Sequence, residues 1–152
     1  AALHDPRVLV EASVNNAREI EIGVINGADG RAVASVPAEV IVRSGHEFYD
    51  FEAKYLDDAV DLVVPADLSA ATTEKLQSIA CEVFELLGCE GLARVDFFIA
   101  ADGGILVNEV NTMPGFTSVS LFPRMWAASG IGYPALVDHL VRDALRRGTG
   151  LR

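Results

Sequence analysis

Apolar and polar positions alternate through two short runs, residues 8–14 and 20–26, separated by Asn15-Asn16-Ala17-Arg18-Glu19. Period-2 alternation bounded by turn-forming residues predicts β-strands. A third run, Arg31 to Val36, follows the Asn26-Gly27-Ala28-Asp29-Gly30 turn, and Glu39 to Val42 continues it past Pro37. Leu62-Val63-Val64-Pro65 reads as a further short strand. The pattern then changes to helical spacing. Ser69 is placed to cap a helix in which Leu76, Ile79, Ala80, Val83 and Leu87 share one stripe, with Gly88 as its stop. Leu92 to Ile99 and Ile105 to Asn111 are again strand-like, joined by Ala100-Ala101-Asp102-Gly103-Gly104, which suits a hairpin. Ser120 can cap a helix through Ser129, with Pro123 tolerated in its first turn and Gly130 ending it. Pro134 starts a last helix that would bury Leu136, Val137, Leu140, Val141, Ala144 and Leu145, place Arg146 and Arg147 in its last turn, and stop at Gly148. There are no internal repeats. An antiparallel sheet with helices on one face is expected, an α+β fold.

Composition narrows the class. The 152 residues are 51% hydrophobic, ample for one domain's core, and 22 acidic residues against 12 basic ones give a net charge of −10. With no basic stripe, nucleic acid is excluded as an expected partner. No apolar run approaches the roughly 18 residues of a membrane span, and no signal pattern opens the chain, so a soluble cytoplasmic protein is expected. Cys81 and Cys89 lack metal or redox spacing and read as reduced structural thiols. His4, His46 and His139 match no zinc pattern and read as surface residues. The chain opens at Ala1 without Met and enters Val8-Leu9-Val10-Glu11 within a few residues, as if it began inside something larger.

The candidate chemistry lies in the hairpin. Strand side chains alternate faces, so Glu109 and Asn111 project together while Asn108 and Val110 point the other way; Arg94 and Asp96 likewise share a face. Normal pairing would set Asp96 beside Glu109 and Asn111, with Arg94 at the edge. Acidic residues on a strand ordinarily mark a solvated face. Here Asp96 and Glu109 lie within apolar segments, where an unpaired carboxylate is costly, so a cation or donors are required. Oxygen-only ligands suit Mg²⁺ or Mn²⁺ and leave coordination positions for phosphate oxygens. A metal-nucleotide site on an acidic chain follows.

The strings FYDFEAKYLD, GLARVDFFI, VNEVNTMPGFTSVSLFP and MWAASGIGYPALV together resemble the C-terminal part of bacterial D-alanine-D-alanine ligases of the ATP-grasp superfamily. The resemblance runs through essentially the whole chain and implies an ATP-grasp C-terminal domain. By it, residues 1–19 are the end of the central lid domain and 20–152 the C-terminal catalytic domain, with an N-terminal substrate domain absent. Asp96, Glu109 and Asn111 look like the ligands of two Mg²⁺ (or Mn²⁺) ions that bridge ATP phosphates. Lys54 matches a lysine that contacts ATP phosphate, and Tyr55 with the aromatic loop before it matches a flap over the site. Glu11 and Val14 match adenine-binding positions and Glu19 a ribose-binding glutamate. The Glu11 to Glu19 segment is one residue longer than the family pattern, and Ala12 replaces the commoner Lys or Gln. Gly115 and Arg94 match groups that hold the reacting carboxyl oxygen. Ser120 and Leu121 match those binding the carboxylate of the second D-alanine, as a helix N-terminus would favour.

The activity so implied is ATP-dependent joining of two D-alanines through an acyl phosphate, serving peptidoglycan synthesis. The substrates are D-alanine and ATP, the partner is the missing N-terminal part of the same enzyme, and the full-length protein would be a homodimer. The chain alone would be inactive. Alternatives are a ligase of D-alanine with D-lactate or D-serine, another ATP-grasp carboxylate-amine ligase, or a noncatalytic Mg-nucleotide-binding module.

Overall fold

The computed structural model describes residues 7–42 and 60–147. Among the described residues six strands form one sheet: β1 (Arg18–Asn26), β2 (Ala32–Ala34), β3 (Ala38–Val42), β4 (Val60–Val63), β5 (Leu92–Ile99) and β6 (Ile105–Asn111). Its order is β4-β3-β1-β5-β6, with β2 also paired to β1, and every pairing is antiparallel. The described helices are α1 (Ala70–Leu86), α2 (Leu121–Ala128) and α3 (Tyr133–Arg147). The expected α+β class holds.

The strand expected over residues 8–14 is not formed. Val8, Leu9 and Val10 are exposed, and a strand without a neighbour leaves its backbone donors and acceptors unpaired. β2 and β3 do continue one another along the same edge of β1, but with a break at Ser35 to Pro37. Val24 faces Ala34 whereas Glu21 faces Ala38, so the register slips by one residue between them. Side chains fill the break: the Ser35 hydroxyl accepts from the Gly23 amide at 3.0 Å, and the Ser129 hydroxyl accepts from the Val36 amide at 2.8 Å. Pro37 has no amide to satisfy there.

Helices cover both faces of the sheet, not one. The core of β1 is buried continuously from Ile20 to Ile25, and unbroken burial requires cover on each side. On one face Ile20, Ile22, Val24, Ala93, Val95 and Phe97 pack on Leu76, Ala80 and Phe84 of α1. Phe84 completes the stripe in place of Leu87, which lies past the helix end and is exposed. Ser69 caps α1 by accepting from the Thr72 amide at 3.1 Å. At the other end Gly88 takes φ +62°, while its own amide bonds Glu85 and that of Cys89 bonds Phe84, the paired closure that a left-handed residue permits.

On the opposite face Ile25 and Ala38 pack with Phe122, Met125, Trp126 and Leu136 of α2 and α3. Along α3 only Leu136 and Asp143 are buried; Val137, Val141, Ala144 and Leu145 are exposed, contrary to the six-residue apolar stripe expected. Polar contacts anchor this helix instead. Asp143 is 3% exposed and takes hydrogen bonds from Arg146 at 2.6 Å and Arg147 at 2.8 Å. Arg146 also donates to the carbonyl of Ala28, and Arg147 to Glu90 at 2.8 Å. His139, expected at the surface, is half-buried with Nε2 2.6 Å from the Asn26 carbonyl. His4, His46 and Gly148 lie outside the described residues. Both cysteines are free and half-buried, and burial, aided by the Glu85 charge, pushes the Cys81 thiol up.

Gly23 is where α2 meets the sheet. A Cβ there would stand 2.9 Å from Trp126 Nε1 and 3.0 Å from Phe122 Cε2. Neither ring is at the end of a flexible chain, so Gly23→Ala should destabilise the fold by about 1–3 kcal/mol through overpacking. Urea unfolding with an unchanged midpoint would show that α2 does not sit this close.

Candidate functional site

The sheet face covered by α2 and α3 is divided. Toward the C-terminal end of β1 it is apolar; toward the other end it carries carboxylates. Three neighbouring strands supply them. Glu21 of β1 faces Asp96 of β5, which in turn faces Glu109 of β6, and Arg94 faces Asn111. The sequence expectation that Asp96 would stand beside Glu109 and Asn111, with Arg94 adjoining, is therefore met by the pairing itself.

The hairpin is not regular. Asp96 faces Glu109 but Phe97 faces Val107, so β6 holds one extra residue at Asn108. Such a bulge re-aims a side chain. A cleft on this face is lined by Glu19, Glu21, Arg94, Asp96, Asn108 and Glu109, together with parts of Ile20, Phe97 and Phe98. Asn108 had been expected on the opposite face from Glu109, and the simple alternation of strand side chains fails at the bulge.

Arg94 is the centre of the cluster. Its Nε and Nη2 donate to the two oxygens of Asp96, each at 2.7 Å, and Nε lies 3.1 Å from Glu21 Oε2. The three side chains are 14%, 12% and 11% exposed, so their pairing is made away from bulk water. Burial alone would push the Arg94 guanidinium down. Its hydrogen bonds to Asp96 and the charges of Glu21, Asp96 and Glu109 outweigh that and hold it above its ordinary value. Burial, aided by the charge of Asp96, pushes the Glu19 carboxyl up. Glu109 is exposed, so its position demands no partner in the way that the burial of Asp96 does.

Beyond β6 the chain turns at once. Asn111 Oδ1 accepts from the Met113 amide at 3.0 Å, which starts the turn through buried Pro114 to Gly115. A Cβ on Gly115 would lie 3.2 Å from Ser120 Oγ, so the loop folds closely onto the start of α2. Ser120 holds the N-cap position, but its hydroxyl turns back to accept from the Thr117 amide at 3.0 Å and makes no cap bond. The first amides of α2, at Leu121 and Phe122, are thus not capped by it, which suits an anion at this helix end.

The donors here fit a hard divalent cation. Among the described residues no three or more His, Cys, Asp and Glu side chains are grouped so as to hold a metal ion by themselves. Asp96 and Glu109 are neighbours across the ladder, and each carboxylate oxygen, like the Asn111 carbonyl, has more than one lone pair to offer. A site short of protein ligands is what Mg²⁺ shared with a phosphate requires.

Comparison with known proteins places this geometry. A family model described as "D-ala D-ala ligase C-terminus" matches residues 1–142. The chain belongs to that family. A protein of Frankia casuarinae named D-alanine--D-alanine ligase is 58% identical over 153 aligned positions, covering 100% of this chain and 40% of that protein. The solved D-alanine-D-alanine ligase of Coxiella burnetii superposes with TM-score 0.72 at 38% identity, over 90% of this chain and 34% of that one. A D-alanine--D-alanine ligase of Bacillus anthracis complexed with ATP superposes with TM-score 0.67 at 30% identity, over 87% and 41%. The chain thus spans about 40% of the length of the curated relatives it matches. The resemblance read from the motifs is borne out, and so is the ATP-grasp C-terminal fold.

Of the residues that the family resemblance marks, the structure gathers Arg94, Asp96, Glu109, Asn111 and Glu19 on one face and sets Gly115, Ser120 and Leu121 together at the start of α2. Glu11 is exposed and Val14 half-buried, and neither lines the cleft. Lys54, Tyr55 and the aromatic loop lie outside the described residues. Two polar cleft residues were not foreseen. Glu21 carried a signal, since it shares the strand parity of Glu19 in Arg-Glu-Ile-Glu-Ile; Asn108 carried none, because a bulge is not written in alternation.

No described helix is long and apolar enough to cross a membrane. The raised Glu19 carboxyl gives a pH prediction. In the folded chain this group keeps its proton to higher pH than in the unfolded chain, so its contribution to stability falls as pH rises from the ordinary carboxylate value through the raised one. Glu19→Gln should flatten that part of the stability profile and leave the variant more stable than wild type near neutral pH. Urea unfolding at a series of pH values checks it; parallel profiles would refute it.

Proposed function

We propose that this chain is the catalytic C-terminal portion of an ATP-dependent D-alanine-D-alanine ligase. The observation that carries the reading is the strand register, which sets Asp96 against Glu109 and Arg94 against Asn111 in a chain of this family. In the reaction, the carboxylate of one D-alanine attacks the γ-phosphorus of ATP, giving an acyl phosphate and ADP. The amine of the second D-alanine then attacks the acyl carbon, and phosphate leaves with formation of the peptide bond. Phosphoryl transfer of this kind rests on positioning and charge neutralisation.

Each residue has a place in that scheme. Asp96, Glu109 and Asn111 would hold two Mg²⁺ or Mn²⁺ ions, which when bound neutralise phosphate charge. Arg94 and the Gly115 backbone would steady the reacting carboxyl oxygen, and Ser120 with the Leu121 amide would bind the carboxylate of the second D-alanine. Glu11 and Val14 are assigned to adenine, Glu19 to ribose, Lys54 to phosphate and Tyr55 to the covering loop. The exposure of Val8, Leu9 and Val10, with no strand among the described residues before Arg18, supports a lid segment over 1–19 joined to a catalytic domain over 20–152.

The first D-alanine site, further nucleotide contacts and a homodimer interface belong, in this reading, to the N-terminal part of a longer cytoplasmic protein that serves peptidoglycan synthesis. The purified chain should bind Mg-ATP without releasing phosphate in response to D-alanine. Calorimetry should show Glu109→Gln weakening that binding by at least about tenfold, the loss of one charged contact. Equal binding by the variant would contradict the metal role. Turnover by the wild-type chain would contradict its dependence on the missing part.

A further inference from the structure

Arg94 already occupies both oxygens of Asp96, the carboxylate that the proposed function gives to a divalent cation. Two cations cannot both hold that carboxylate in a fork at full strength, because a metal draws off the lone-pair density on which the guanidinium depends. Some group must then satisfy the guanidinium, which burial keeps from turning to water. Leaving a buried charge without a partner is more costly than the loss of an exposed pair.

Glu21 meets the requirement. Its side chain is 11% exposed, it faces Asp96 across the β1–β5 ladder, and its Oε2 stands 3.1 Å from Arg94 Nε, the nitrogen that donates to Asp96 at 2.7 Å. The Nε–H hydrogen bond goes to Asp96, and Glu21 Oε2 stands within ion-pair reach of the same nitrogen without accepting that proton. A small reorientation of the guanidinium would bring it into line. The metal, nucleotide and substrate roles proposed above leave Glu21, the second buried carboxylate of this face beside Asp96, without a task.

We propose that Glu21 is the positioning residue that receives Arg94 when Asp96 engages a divalent cation, so that metal loading exchanges one carboxylate partner of the guanidinium for another. The exchange rests on the metal-nucleotide reading given above. It keeps Arg94 paired in both states, and it turns Arg94 from a competitor for Asp96 into a charge anchored beside it. Glu21 touches neither metal nor substrate; it acts through Arg94.

The test is an NMR titration of the purified chain with Mg²⁺ alone, following the arginine Nε–Hε resonances. In wild type the Arg94 resonance should shift on saturation yet remain protected from exchange with water, because its acceptor changes but does not vanish. Glu21→Asp keeps the charge and withdraws the carboxylate by one methylene; it should weaken Mg²⁺ binding by about tenfold and leave the Arg94 resonance exchanging rapidly in the loaded state. Glu21→Gln, closer in shape, should do the same, and circular dichroism of both variants checks that the fold is kept. If Glu21 contributed only its charge, Glu21→Asp would bind Mg²⁺ as wild type does. That result, or an Arg94 resonance unmoved by Mg²⁺ in wild type, overturns the exchange while leaving the metal site standing. Failure of wild type to bind Mg²⁺ overturns the metal assignment and the exchange together.

Discussion

The antiparallel pairing of β1, β5 and β6 is the constraint on which the rest of this structure depends. It brings Glu21, Asp96 and Glu109 into one row across three strands and puts Arg94 one step along from it. Side chains directly opposite on an antiparallel ladder are about 4.5–5.5 Å apart at Cβ, so like charges so placed repel unless a cation intervenes. Arg94 is that cation within the chain, and its fork onto Asp96 with Glu21 beside it makes the row tolerable. A shift of one residue in either ladder would send the slipped strand's acid to the α1 face and its apolar side chains to the cleft.

The two hydrophobic clusters fix that register. Ile20, Ile22, Val24, Ala93, Val95 and Phe97 pack against α1 on one face, and Phe122 and Trp126 come down on Gly23 and Ile25 on the other. β1 and β5 are thereby clamped from both sides. α2, which supplies half of that clamp, also presents its N-terminus beside the Gly115 turn. The stability of the apolar end and the placement of the polar end therefore share elements, and a packing change at Gly23 would be felt where Ser120 and Leu121 lie.

Much of this was legible in the sequence, for reasons that differ by element. β5, β6 and α1 were clear because each has a strong period with turn or cap residues at both ends, as at Gly88 and Asp102-Gly103-Gly104. The pairing of Asp96 with Glu109 followed from the short hairpin loop, which leaves few registers. Residues 8–14 misled because alternation reports that a segment could line a sheet, not that a partner strand is there. α3 misled in the opposite way: its apolar positions are real, but Asp143, Arg146, Arg147 and His139 hold it through carbonyls of the β1–β2 turn and through Glu90. Hydrophobic period has no vocabulary for such contacts. The helices divide between the two faces for a reason visible in hindsight, since Ile20 to Ile25 has no solvated position.

Family membership and geometry meet in the claim that this carboxylate row is a divalent-cation site opening toward a nucleotide. Diffraction from crystals grown with Mn²⁺ and an ATP analogue, recorded for the anomalous signal of manganese, tests it most directly. The account predicts anomalous density in contact with the carboxylates of Asp96 and Glu109 and the Asn111 amide oxygen. Manganese density confined to other carboxylates, with this cleft empty, would contradict it.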